Sequence, residues 1–378
     1  MKIVIFQPML KFYRVPLFEL LHKQLTDSGH ELRLVFGAPW EAEQKRNDNV
    51  VLENDYCFFE KSHWFFNNKV HFLEGAVNHI RWADIVITEQ ANKHVHNYIL
   101  VFLHLFKIKS FAYWGHGLNR QGNPKSLKEK IKKGLAKQTD WWFAYTSGVS
   151  DYLRNLGFPS ERISILNNSI DTHAFERSLN DLSSDDVIDF KRQHKIAEDA
   201  QIGIFCGSLH NDKEIEFLLE SAKCVKQSNP KFILFIGGGG QDEGLVNSYA
   251  MQNEFIIYLG GLHGKQKALA FKCSDIFLNP GMIGLAILDA FTAGLPVFTT
   301  RQARHSPEID YLEAGINGMI TDLNIDQYSS VVVSILKSKN ILNSLKANAE
   351  RSGKKFSIEN MADNFYGGLM SFITNPYC

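Results

Sequence analysis

The stretch from Pro280 to Gly294 reads "PGMIGLAILDAFTAG". A short loop broken by Pro280, Gly281 and Gly284 runs into an apolar helix that carries one charge, Asp289. The backbone N–H groups of Gly281, Met282, Ile283, Gly284 and Leu285 would open that helix, and such groups, aided by the helix dipole, make a seat for an anion. Asp289 lies five residues beyond Gly284, about one and a half turns at 3.6 residues per turn. A carboxylate there can accept from both ribose hydroxyls while the amides hold a diphosphate. The plainer alternative is a partly buried helical aspartate paired elsewhere, but the glycines just before it favour a nucleotide.

Working outward, "DIFLNP" from Asp275 and "PVFTT" from Pro296 flank this helix as apolar, strand-length runs. "IGIFCG" from Ile202, "KFILFIGGGG" from Lys231 and "FIIYLG" from Phe255 precede them, with helix-length segments between. The first half repeats the rhythm with "KIVIFQ" from Lys2, "ELRLVF" from Glu31, "DIVIT" from Asp84, "KSFAYW" from Lys109, "WWFAY" from Trp141 and "RISIL" from Arg162. Between strands, "VPLFELLHKQL" (Val15 to Leu25) returns an apolar residue every three or four positions, the period of a helix. Strand alternating with helix implies an α/β fold of two doubly wound parallel sheets. The polar segment from Glu176 to Ala200 places the linker near residue 175. Ligands of open parallel sheets bind beyond the carboxyl ends of the strands, so two such domains should face a central cleft.

Composition narrows the function. With 378 residues and 44% hydrophobic content the chain can bury large cores. Its 41 basic and 41 acidic side chains create no global basic field, so nucleic acid is not an expected partner. Five scattered cysteines without a C-x-x-C pair argue against disulfides and structural zinc and suit a reducing cytoplasm. The start "MKIVIFQP" lacks the pattern of a secretory signal. "YILVFLHLF" (Tyr98 to Phe106) is about half the ~20 residues a membrane span needs and reads as a buried helix.

The loops after strands are where chemistry is expected. After the first strand comes "QPMLKFYRVP", which lacks the G-x-G-x-x-G of dinucleotide enzymes but offers Tyr13 and Arg14 to a phosphate or sugar, a surface arginine being the plain alternative. "YWGHGLNRQG" (Tyr113 to Gly122) sets His116 between two glycines, where the ring can project and exchange a proton near neutral pH. "TEQANK" offers Glu89 as a base or a ligand for acceptor hydroxyls, unless it is merely a solvated loop carboxylate. "CGSLHNDKE" (Cys206 to Glu214) puts Lys213 at a helix start, where the dipole disfavours a cation unless an anion binds. The glycines of "IGGGGQDE" (Ile236 to Glu243) suit close backbone approach or any tight turn.

These segments, in this order, resemble the GT-B glycosyltransferases, and most closely those of family 4. "TSGVSDYLRNLGFPSERISILNNSIDTHAF" (Thr146 to Phe175) looks like the end of the first domain, with Asn168, Ser169, Ile170 and Asp171 in place of Asn-Gly-Val-Asp. "GSLHNDK" resembles G-R-L-x-x-x-K, keeping Gly207 and Lys213, with Ser208 where the arginine stands. "PGMIGLAILDAFTAGLPV" resembles the signature helix, whose E-x7-E pair falls on Gly281 and Asp289. The resemblance implies a Rossmann-like acceptor domain over 1–175, a Rossmann-like donor domain over 176–355, and a helix over 356–378 returning to the first domain.

The same resemblance implies metal-independent transfer from a UDP- or GDP-sugar to a hydroxyl of a glycan or lipid-linked acceptor in bacterial surface polysaccharide synthesis, without a cofactor. Gly207, Lys213, the 281–285 amides and Asp289 would bind the donor. His116 and Glu89 would act at the reacting sugar, with Arg14, Tyr13 and Asn119 around the sugar or acceptor. The alternatives are a nucleotide-sugar epimerase of the same architecture and a non-catalytic nucleotide-sugar binding protein, prompted by the missing glutamate at Gly281. Lysines 125, 128, 130, 132, 133 and 137 form the most basic segment. They suit a peripheral contact with the inner face of the cytoplasmic membrane as well as an ordinary solvated helix face.

Overall fold

The computed structural model describes residues 1–44, 48–117 and 133–375. It divides into two units, Met1–Asp171 with Ile358–Cys378, and Thr172–Ser357. The division falls at Asp171/Thr172, slightly before the expected linker near residue 175.

The first unit is built on seven parallel strands: β1 (Lys2–Gln7), β2 (Glu31–Gly37), β3 (Cys57–Glu60), β6 (Ile85–Glu89), β7 (Ser110–Gly115), β8 (Trp141–Ala144) and β9 (Ile163–Ile165). Their order across the sheet is β3-β2-β1-β6-β7-β8-β9. The central strands are buried on both faces, which is why they read as continuous apolar runs such as "IVIF" rather than as alternation. An antiparallel hairpin, β4 (Ser62–Phe65) and β5 (Val70–Leu73), stands apart from this sheet.

Helix α1 (Val15–Asp27) starts with Pro16, whose missing N–H costs nothing in the first turn. It buries Leu17, Phe18, Leu21 and Leu25, one stripe at helical spacing. That stripe shares a core cluster with Met361, Phe365 and Leu369 of the last helix, which we call α7 (Ile358–Thr374).

The second unit has six parallel strands in the order β12-β11-β10-β13-β14-β15. They are β10 (Gln201–Cys206), β11 (Phe232–Gly237), β12 (Ile256–Gly260), β13 (Ile276–Leu278), β14 (Val297–Thr300) and β15 (Gly318–Thr321). With the hairpin set aside and the strands counted from the first of each sheet, the first sheet runs 3-2-1-4-5-6-7 and the second 3-2-1-4-5-6, the doubly wound order in which the winding reverses beside strand one. The reversal points lie between β1 and β6 and between β10 and β13, and each splays two loops apart.

One reading of the sequence needs correction. The apolar segment from Tyr98 lies in α2 (Val95–Leu105) and just beyond it, and it is not a buried helix. Leu100 and Asn97 face inward, while Phe102, Leu105, Phe106 and Ile108 are each more than half exposed. No helix among the described residues is long and apolar enough to cross a membrane. The polar segment from Glu176 is largely helical, and helices Thr172–Asn180 and Ser184–Gln193 bury Phe175, Leu179 and Phe190.

Candidate active site

In the second unit the reversal point brings the loop after β10 against the loop after β13. The helices that follow are α3 (Ile215–Ser228) and α5 (Ala286–Thr292), with α4 (Gly264–Lys272) between them in sequence. Lys213 closes the short 3-10 turn Asn211–Lys213 and is buried, so neither the exposed lysine nor a freely reaching one is found. Its Nζ donates to the carbonyl of Met282 at 2.5 Å, joining the two loops. Burial lowers the Lys213 pKa, against the neighbouring Asp212 charge.

Gly281 lies hard against the same turn. A Cβ there would sit 2.3 Å from the Lys213 carbonyl carbon and 2.4 Å from the Asp212 oxygen. Backbone thus occupies the place where any side chain at position 281 would begin. The Met282 N–H donates to Asp212 O (2.7 Å) and the Ile283 N–H to His305 Nδ1 (3.0 Å). His305 in turn donates from Nε2 to Thr300 O (2.8 Å). Two of the five amides assigned to the diphosphate thus hold the loop itself. Asp289 on α5 is only slightly exposed, and its Oδ1 receives Lys267 Nζ of α4 at 2.7 Å.

The four glycines that end and follow β11 serve a neighbouring loop. A Cβ on Gly238 would lie 1.8 Å from Gly207 O and one on Gly240 2.4 Å from Leu209 O. Gly207 and Leu209 donate their N–H groups to Gly237 O and Gly239 O, each at 3.0 Å. The run is a backbone-on-backbone seam that fixes the segment leading to Lys213.

In the first unit, Gly115 and Gly117 take φ of 151° and 62°, conformations open to glycine, and present His116 between them as an exposed ring. Its imidazole packs 4.4 Å from the Tyr145 ring. Arg14 departs from expectation, since its side chain is buried rather than reaching for a ligand. The guanidinium lies 5.2 Å from the Trp114 ring centre and donates to Tyr145 Oη at 3.4 Å. It also approaches Tyr13 and contacts the Met361 sulfur of α7 at 3.7 Å. Arg14 therefore braces Tyr145 behind His116. Asn119 and Lys125, Lys128, Lys130 and Lys132 lie outside the described residues.

Glu89 ends β6 at the reversal point, one-third exposed, with Oε2 3.6 Å from His94 Nε2. Partial burial opposes its ionisation, but His94, Lys93 and His116 outweigh this and hold its pKa below the usual carboxylate range. The loop is pinned: Asn97 donates to Glu89 O (2.8 Å) and Ala91 O (3.1 Å), and Thr88 donates to Asn97 Oδ1 (2.8 Å). Sequence reading missed Lys267, His305, Tyr145, His71 and His94. The only signal among them was "HVH" at 94–96, two histidines spaced to straddle a helix start.

The family model described as glycosyl transferases group 1 matches residues 186–352, and that of glycosyltransferase family 4 matches residues 18–174. A protein of Methanocaldococcus jannaschii named an uncharacterized glycosyltransferase is 26% identical over 145 residues. That alignment covers 37% of this chain and 36% of the relative, so the match spans about a third of the relative's length. Among solved structures, Anabaena Alr3699/HepE in complex with UDP superposes with a TM-score of 0.69 at 13% identity, over 98% of this chain and 100% of that one. A glycosyltransferase from Rickettsia africae gives 0.70 at 14%, over 99% of both. A putative UDP-N-acetylglucosamine 2-epimerase from Listeria monocytogenes gives 0.64 at 12%, over 98% and 96%. At such identities the likeness is one of fold. The two family models follow one another along the chain and between them span most of it, and the chain belongs to the GT-B glycosyltransferases of group 1.

Proposed function

We propose that this protein transfers a sugar from a nucleoside diphosphate donor, UDP-linked in the first instance, to a hydroxyl of a glycan or lipid-linked acceptor in surface polysaccharide synthesis. The observation that carries the reading is the junction of the Lys213 turn with the 281–285 loop at the reversal point of the second sheet, with Asp289 one helix turn further on. Anabaena Alr3699/HepE has been solved with UDP and with UDP-glucose, which supports a uridine donor. In this reading the ribose hydroxyls donate to Asp289, whose charge is steadied by Lys267. Lys213 and the loop amides beyond Ile283 meet the diphosphate, and their preorganised charge stabilises the leaving group as the glycosidic bond breaks. His116 stands beside the reacting sugar, and Glu89 receives the acceptor hydroxyl.

The test is calorimetry with UDP-, GDP-, ADP- and CMP-sugars. UDP-glucose should bind and Asp289→Ala should abolish the binding. No binding by any of the four defeats the reading. The Listeria neighbour gives a second reading, epimerisation, some support. Incubating donor alone separates the two, because an epimerase alters the sugar while it is still attached to the nucleotide. Donor affinity without turnover on any acceptor would favour a binding protein.

The proposal includes a peripheral contact with the cytoplasmic face of the membrane, through the exposed Phe102, Leu105, Phe106 and Ile108 with Lys107 beside them. An exposed apolar patch with a cation beside it suits an anionic bilayer surface. Phosphatidylglycerol vesicles should sediment the protein, and a double variant, Phe102→Ser with Leu105→Ser, should stay in the supernatant. Equal sedimentation of both would remove the membrane from the reading.

A further inference from the structure

The β4–β5 hairpin adds nothing to the main sheet, yet it is tied to the loop that carries Glu89. His71 of β5 donates its backbone N–H to Lys93 O at 2.7 Å, and the two segments form an isolated parallel bridge at His71 and His94. The side chains continue the tie. His71 Nδ1 lies 2.8 Å from His94 Nδ1, and His71 Nε2 lies 3.3 Å from Ser62 Oγ of β4. Trp64 stacks on the His71 ring at 4.1 Å. His71 and His94 are 0% and 1% exposed. His94 Nε2 is buried without a hydrogen-bond partner and points at Glu89 Oε2, 3.6 Å away.

We propose that His94 is a positioning residue for Glu89, and that His71 locks it in the tautomer whose Nε2–H faces the Glu89 carboxylate. The function of this device rests on the reading of Glu89 as the acceptor-facing group.

Burial pushes the His71 pKa down to about 3 and lowers that of His94, so both rings are neutral near pH 7. A neutral imidazole has one N–H and one bare nitrogen. Two Nδ1 atoms 2.8 Å apart must share one proton. If His94 supplied it, its bare Nε2 would face a carboxylate from inside the protein, two lone-pair surfaces in a low dielectric. If His71 supplies it, every contact is satisfied: Ser62 O–H donates to His71 Nε2, His71 Nδ1–H to His94 Nδ1, and His94 Nε2–H is presented to Glu89.

The other charged or titratable groups facing this chain are Lys93 on the same loop, His96 on α2, and His116 on the loop after β7. His96 is engaged separately, its Nε2 3.1 Å from Thr88 Oγ1. Because that hydroxyl already donates to Asn97, it accepts from His96. The two Nδ1 atoms of His71 and His94 face each other, His71 Nε2 and His96 Nε2 face hydroxyls, and His94 Nε2 faces Glu89, and no group of three or more His, Cys, Asp or Glu among the described residues is arranged to hold a metal ion. A 3.6 Å separation fits a contact that tightens when substrate binds, since such bonds are often long in the free enzyme.

The test is 15N NMR of the full chain with labelled histidine at pH 7, the two rings assigned through His71→Asn and His94→Asn. His94 should carry its proton on Nε2 and His71 on Nδ1. A His71 proton on Nε2, a His94 proton on Nδ1, or a doubly protonated His94 overturns the proposal. With 13C-labelled glutamate, His94→Leu and His71→Leu should raise the titration midpoint of the Glu89 carboxyl by about one pH unit, as for a carboxylate that loses a polar partner. His71→Asn, whose amide can donate from the Nδ1 position, should restore it, and a midpoint unmoved by His94→Leu counts against the proposal. Glu89→Gln with undiminished transfer, alongside the expected tautomers, would leave the chain standing and remove Glu89 from the proposed function.

Discussion

Gly281 shows what a single missing Cβ decides. The signature helix aligns it with a glutamate, but backbone atoms of Asp212 and Lys213 fill that side chain's path at 2.3–2.4 Å. Putting the family residue back should therefore harm the protein. We expect Gly281→Ala to cost roughly 1–3 kcal/mol by overpacking and Gly281→Glu at least as much, both with weaker UDP-glucose binding. Melting temperature and calorimetry check this, and a Gly281→Glu protein of unchanged stability and tighter donor binding defeats it. The gap was legible in the sequence, but the crowding around it was not, because the opposing backbone belongs to a loop some seventy residues away. His71 is a second case. Its pKa of about 3 lies below the ordinary 6.5, so the unfolded chain takes up a proton that the fold refuses. Stability from this group is complete above about pH 6.5 and is lost as the pH falls towards 3, at about 1.4 kcal/mol per pH unit. All six tryptophans lie in the first unit, so their fluorescence reports on it alone. The urea midpoint of that signal should fall between pH 7 and pH 5, and His71→Asn should flatten the slope. A wild-type midpoint that does not change with pH would show that the ring is not held neutral.

Elements were legible where burial made them uniform. β1, β2, β6, β10 and β11 were found as apolar runs because both faces of each are covered. The segment holding β3 to β5 was not, since its strands are short and several of their apolar side chains, such as Phe59 and Phe72, are half exposed. The same exposure made α2 look like core from its composition alone. Packing between helices depends on a finer feature. Helix α6 (Lys339–Lys355) crosses α5 so closely that a Cβ on Gly353 would sit 2.7 Å from Phe291 O. Because α5 carries Asp289, this crossing sets where the carboxylate stands. Gly353→Ala should force the helices apart, at about 1–3 kcal/mol, and weaken donor binding without touching any atom of the site. Intact UDP-glucose affinity in a destabilised Gly353→Ala protein would show that Asp289 is held by the Lys267 pair instead of by the crossing.

At the scale of the whole molecule, the first unit is discontinuous in sequence and the second is not. The helical period of the last segment was plain in the sequence, but its destination came only from resemblance, because nothing local in "MADNFYGGLMSFI" tells which core it completes. The structure gives the answer in contacts. Met361, Phe365, Leu369 and Phe372 of α7 are fully buried in the cluster that holds Trp114, Phe143 and Leu21, and Gln24 on α1 donates to Asp363 at 2.6 Å. Burying four such side chains is worth about 1.5–3 kcal/mol each, comparable to the ~5–15 kcal/mol by which a domain is stable at all. Residues 1–171 by themselves should therefore not fold to a cooperative state, whereas residues 172–357, with every strand and covering helix in one run of chain, should fold alone and bind UDP-glucose. Adding a peptide of residues 356–375 to the 1–171 fragment should restore cooperative unfolding of the tryptophan signal, and Phe365→Ala in that peptide should weaken the rescue by about 3–5 kcal/mol. A sharp urea transition for residues 1–171 without the peptide would show that the first sheet carries its own core and that α7 merely rests on it.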